Sequence, residues 1–138
     1  MGNMSCVLRA IGTKKAVLAF AKETKLRGRI SFRIKGQLQF PNSPIERKFR
    51  QSEIVANVSE ADFDNLSGQI RGAIKYLKKN SAELSSLTSK GFKGIQLDFG
   101  IKKRDVGAQF DCFPPELLRL AGQMEIGIEL SQYLIEDE

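Results

Sequence analysis

Histidine and tryptophan are absent from this 138-residue chain, and cysteine occurs only twice. Without histidine the commonest general acid/base and the commonest metal ligand are both missing, and Cys6 and Cys112 are far apart with no CxxC spacing. Neither zinc nor any other metal is expected, and no cofactor is implied. Long apolar runs are lacking as well. None approaches the ~20 residues that a membrane span needs, and the N-terminus has no charged-then-apolar secretory pattern. A cytoplasmic protein without a membrane partner is expected, its cysteines small buried hydrophobes rather than a redox pair. Met1-Gly2-Asn3-Met4-Ser5-Cys6 has Cys where a myristoylation signal needs Ser or Thr. Met4-Ser5-Cys6 would itself make a natural start, so residues 1–3 are expected to be either an upstream start or an artificial addition.

Acidic residues are scarce in one half only. Residues 1–50 hold 12 Lys/Arg against Glu23 and Glu46, whereas residues 51–138 hold 10 against 14 acids. The formal charge of +6 is thus an N-terminal property. A polarised surface that attracts something acidic follows from it. The hydrophobic share of 41% and charged share of 28% are ordinary for a folded chain, and 138 residues suffice for one domain with its own core. Residues 1–138 are therefore expected to form a single α+β domain.

The pattern along the chain predicts its elements. Residues 5–11 read as a first strand, and Thr13 caps a helix carrying Ala16, Val17, Phe20 and Ala21 at helical spacing. Arg27-Gly28-Arg29-Ile30-Ser31-Phe32-Arg33-Ile34-Lys35-Gly36-Gln37-Leu38-Gln39-Phe40 then sets cations on one parity and apolar residues on the other. Its period of two over residues 29–40 predicts a half-buried strand, either bent or folded into a hairpin at Lys35-Gly36, with Phe32 and Phe40 in the core. Residues 46–50 form an exposed basic loop, and residues 53–58 a short strand. Ser59-Glu60-Ala61-Asp62 resembles a capping box and predicts that a long helix begins there, broken at Asn80-Ser81. Residues 95–101 alternate as a strand, Pro114-Pro115 opens a short helix, residues 126–130 make a last strand, and residues 134–138 an acidic tail.

The order is βαββαβαβ, whose first six elements match the split βαβ arrangement of ferredoxin-like folds with a helix and strand added. The expected fold is an α+β two-layer sandwich on an antiparallel or mixed sheet. Helices cover one sheet face of such a fold, so the other face would show Arg9, Arg29, Arg33, Lys35, Asn57, Gln96, Asp98, Lys102, Glu129 and Tyr133.

Catalytic machinery is hard to assemble from these residues. Asp98, Asp105 and Asp111 have no spacing that forces them together, and Asp98-Phe99-Gly100 lacks every other kinase element. No GxxxxGK[ST] or GxGxxG phosphate loop occurs. Catalytic residues are not expected, and the protein is read as a non-enzyme. An RNA-recognition motif would place aromatics after Arg27-Gly28, where Arg29 and Ser31 stand instead, so only weak, salt-sensitive attraction to single-stranded nucleic acid remains as the alternative. Arg71, Lys75, Lys78 and Lys79 form a cationic ridge expected to be a solvated helix face. Protein binding is the preferred reading, with Arg29, Arg33, Lys35, Arg47, Lys48 and Arg50 contacting an acidic partner.

The segments Phe113-Pro114-Pro115-Glu116-Leu117-Leu118-Arg119-Leu120-Ala121-Gly122 and Ile126-Gly127-Ile128-Glu129-Leu130-Ser131-Gln132-Tyr133 resemble the ending of a group of small uncharacterised bacterial proteins. Cys6-Val7-Leu8-Arg9-Ala10, Ser59-Glu60-Ala61-Asp62-Phe63 and Leu97-Asp98-Phe99-Gly100-Ile101 are similar too, so the likeness spans most of the chain. Small bacterial α+β proteins of this kind resemble immunity partners of interbacterial toxins, which implies an inhibitor that occludes an acidic protein. A basic immunity protein further implies a toxin with an acidic surface or a non-nuclease activity.

Overall fold

Alternation and punctuation settle most of the architecture. The computed structural model describes residues 4–135, which leaves residues 1–3 and the end of the predicted acidic tail, residues 136–138, outside the described residues. The elements are β1 (Cys6–Gly12), α1 (Lys14–Glu23), β2 (Ile30–Arg33), β3 (Ser52–Ser59), α2 (Leu66–Lys79), α3 (Ser81–Ser85), β4 (Lys93–Lys102), α4 (Pro115–Gln123) and β5 (Gly127–Tyr133). Among the described residues this is an α+β arrangement of four helices on one open five-stranded mixed sheet, consistent with two layers.

The sheet runs β2-β3-β1-β4-β5. The β2–β3, β3–β1 and β1–β4 pairs are antiparallel, and β5 lies parallel to β4. Leu8 on β1 and Leu97 and Phe99 on β4 are fully buried and join Val17, Phe20, Ala73, Leu77 and Leu117 from the helices in one cluster. Truncating one of these leucines to alanine costs about 2–5 kcal/mol, because the transfer energy is lost and a cavity remains.

Thr13 caps α1 as expected, its Oγ1 accepting from the Ala16 N–H at 3.0 Å. The helix break at Asn80 and the proline-opened α4 also fall where the sequence put them. The capping box does not. Ser59 stays in the β3 ladder opposite Cys6, its hydroxyl accepts from the Ala61 N–H, and α2 starts seven residues later on an Asn65 cap that accepts from Gly68 N–H at 2.9 Å. Phe63 is therefore outside the helix, its ring edge-on to Tyr133 at 5.5 Å.

The second strand is the largest correction. Its ladder with β3 ends at Arg33 opposite Glu53, and the chain turns at Lys35-Gly36, where Gly36 has φ of 89° and Gln37 N–H returns to the Ile34 carbonyl at 3.0 Å. Residues 37–39 then pair with residues 47–49, through Gln39 N–H to Arg47 O at 2.7 Å and Phe49 N–H to Gln37 O at 3.0 Å. Phe32 is 37% and Phe40 52% exposed, so neither belongs to the core. Phe32 sits on an edge strand at the rim of the α1 packing, 6.4 Å from the Phe20 ring, and Phe40 caps the outer end of the ribbon formed by residues 37–49.

Candidate functional site: a basic end of the sheet

Antiparallel pairing decides which residues become neighbours. The C-terminal ends of β1 and β2 meet the N-terminal ends of β3 and β4 at one end of the sheet. The ribbon of residues 37–49 projects from that same end, since it connects β2 to β3. Cations far apart in the chain are thereby collected.

Arg33, Arg47, Lys48 and Arg50 line a cleft of about 560 Å³ together with Gln39, Phe49, Gln51 and Glu53. Arg33 is held there from two sides. Its guanidinium donates to Glu53 Oε1 at 3.2 Å and lies 5.4 Å from the Phe49 ring centroid. Its charge is thus already matched by an acid of the same molecule. Arg47, Lys48 and Arg50 are exposed, and among the described residues none of them forms an ion pair. The site therefore keeps a surplus of positive charge of which Arg33 supplies little.

Lys35 lies in a neighbouring cleft of about 870 Å³, which it lines with Lys14, Arg50 and Lys93 and with Gly12, Thr13 and Gly91. No carboxylate lines this second cleft. Arg29 stands apart. It precedes β2 at the opposite end of the strand, where its carbonyl accepts from Asn57 N–H at 2.8 Å, and it has an interaction of its own within the chain. The six cations singled out from the sequence thus divide into four in one cleft, Lys35 in the next and Arg29 elsewhere. Lys14 and Lys93 were missed because no sequence spacing relates them; only the Ile11–Lys93 and Gly12–Ser52 ladder positions do.

The open sheet face itself is largely self-neutralised. Arg9 Nη2 lies 2.7 Å from Asp98 Oδ2 and Nη1 3.2 Å from Glu129 Oε1, while Ser131 Oγ donates to Asp98 Oδ1 at 2.7 Å. Burial lowers the Arg9 pKa, yet the hydrogen bond and charge of Asp98, with Glu129 and Glu53, outweigh it and leave the group raised. Asp98 is thereby a structural partner of Arg9. Asp111 instead lines a 280 Å³ pocket with Phe63, Lys102 and Arg104, and among the described residues no group of His, Cys, Asp or Glu could hold a metal ion.

Cys6 is fully buried as expected, with its thiol pushed up to about 12 by burial and the Asp98 charge, whereas Cys112, also expected to be buried, is exposed. The ridge of Arg71, Lys75, Lys78 and Lys79 is exposed, Lys78 pairing with Glu116 at 2.6 Å. Leu38, Phe40 and Ile45, on the same ribbon as Arg47 and Lys48, are 40%, 52% and 62% exposed, and Leu38 is paired with Lys48. Among the described residues no helix is long and apolar enough to cross a membrane. Compared with known proteins, the chain matches no family model, no curated protein and no solved structure.

Proposed function

We propose that this is a non-enzymatic, cytoplasmic binding protein of the immunity type, an inhibitor that occludes an acidic protein partner such as a bacterial toxin. The observation that carries the reading is the pairing of unmatched cations with exposed apolar side chains. Among the described residues Arg47, Lys48 and Arg50 form no ion pair, and Arg47 and Lys48 share one projecting ribbon with the exposed Leu38, Phe40 and Ile45. Protein interfaces combine arginine and apolar anchors in this way, with charge governing encounter and selectivity and the apolar contacts supplying affinity. The sandwich is read as a split βαβ unit extended by α4 and β5, a reading supported by the antiparallel order β2-β3-β1-β4.

One observation favours nucleic acid as the second reading. Phe40 is exposed beside the cations, so a stacking surface is available that the alternation of the sequence had put in the core. Two of the three exposed apolar groups are aliphatic, however, and suit a protein surface better than a base. Immobilised protein should capture one acidic protein from its host's lysate at physiological salt, and Arg47→Glu with Lys48→Glu should release it while circular dichroism stays unchanged. Undiminished capture by that variant would remove the site. Retention of a thymidine oligonucleotide in place of any protein, fading steeply with salt, would transfer the function to nucleic acid.

A further inference from the structure

The second cleft shares Arg50 and Gln51 with the first, so the two are adjacent stretches of one surface. Four exposed cations, Lys14, Lys35, Arg50 and Lys93, converge on it from separate parts of the chain, and among the described residues none of them forms an ion pair. Concentrated like charge without counter-charge is costly to the free protein and is relieved by an anionic occupant. The cations follow the strand order: Arg33 and Lys35 at the end of β2, Arg50 before β3, Lys14 after β1, and Lys93 on β4. That row crosses three strand spacings of ~4.8 Å, roughly 15 Å, which is the span of about five extended residues.

We infer that the occupant is an extended acidic polypeptide segment lying across the end of the sheet, with Arg50 contacting it in both clefts and Lys14 and Lys93 holding its far half. This rests on the proposed function and adds the form of the partner's contacting element. A compact acidic bump would fill the first cleft alone. Among the lining residues Gly91 has no side chain, and a Cβ added there would meet only Ala16 Cβ, at 3.9 Å, which leaves room for a main chain to lie close.

Fluorescence anisotropy with labelled oligoglutamates at physiological salt tests it. A peptide of about ten glutamates should bind at least tenfold more tightly than one of about three, since only the longer spans both clefts. Lys14→Glu with Lys93→Glu should weaken the long peptide about fivefold and leave the short one unchanged, as expected for exposed charge contacts. Arg47→Glu with Lys48→Glu should weaken both. A long peptide indifferent to Lys14→Glu with Lys93→Glu would overturn the extension while leaving the first cleft standing. Equal weakening by Arg71→Glu with Lys75→Glu on α2 would overturn it too, because net charge alone would then be responsible. Tighter binding of a thymidine decamer than of the long peptide would overturn the polypeptide class, and no binding of either peptide would overturn the extension together with the proposed function.

Discussion

Replacing Arg9 by methionine should cost more stability than neutralising Asp98, although the two groups form one ion pair. The asymmetry comes from burial. The Asp98 side chain is 4% exposed and that of Arg9 34%, so removing the guanidinium strands a carboxylate in the interior with only the Ser131 hydroxyl, at 2.7 Å, to solvate it. Breaking a buried pair in this way costs about 3–5 kcal/mol. In Asp98→Asn the guanidinium keeps Glu129 at 3.2 Å and reaches water, and the amide still accepts from Ser131, so the loss is about 1–2 kcal/mol. Against a typical total of about 5–15 kcal/mol the first variant is marginal and the second comfortable.

Urea unfolding at neutral pH distinguishes them, with the midpoint moving and the slope unchanged. The double variant Arg9→Met/Asp98→Asn should be less damaged than the sum of the singles by about 1–3 kcal/mol, since no carboxylate is left unpaired. An Arg9→Met variant no less stable than Asp98→Asn would refute the reasoning. Because Arg9 is spent on this network, Arg9→Met should also leave oligoglutamate binding unchanged wherever the variant is folded.

Gly100→Ala should destabilise the chain by about 1–3 kcal/mol, since an added Cβ would meet the Ser5 carbonyl at 2.8 Å and the Tyr133 and Phe63 rings at 3.0 and 3.1 Å; a melting curve identical to the parent's would contradict this. A thiol reagent should modify one cysteine per native chain quickly and none in Cys112→Ser, because Cys6 is buried and its thiol is raised to about 12. Glu83 accepts from Lys25 N–H at 2.5 Å and pairs with Lys90 at 3.4 Å, and the Lys25 hydrogen bond is the main cause of its lowered pKa. Its contribution is therefore present above the ordinary value of 4.5 and lost as pH falls through the depressed value, so Glu83→Gln should flatten the acid limb of the stability profile.

Elements whose signals are local were readable from the sequence. The alternation of β4, the Thr13 cap, the break at Asn80 and the proline start of α4 each depend on a few adjacent residues. The capping-box signal at Ser59 was overridden by tertiary pairing: the β1–β3 ladder holds Ser59 opposite Cys6, and the helix starts instead on Asn65, which the sequence reading missed. Alternation beyond Ile34 failed for a nonlocal reason. β3 begins at Ser52, so a strand paired from Ile30–Ala56 to Arg33–Glu53 runs out of partner one residue later, whatever its own periodicity.

The same nonlocality moves the candidate site from the sheet's face to its end. The parity of Arg29, Arg33 and Lys35 marks one face of a strand, yet the face is where the molecule's own acids lie: Glu53 takes Arg33, and Asp98 with Glu129 takes Arg9. What a partner can still neutralise is decided by where carboxylates are missing, and that is the end of the sheet, where β-strand direction brings Lys14, Lys35, Arg50 and Lys93 round a cleft without an acid. Charge asymmetry along the chain thus becomes charge asymmetry in space only through the pairing order, since reversing any one of β1, β3 or β4 would send its terminal cation to the other end. The basic run at residues 47–50 was visible because it is contiguous; its extension onto Lys14 and Lys93 exists only once those strands have paired.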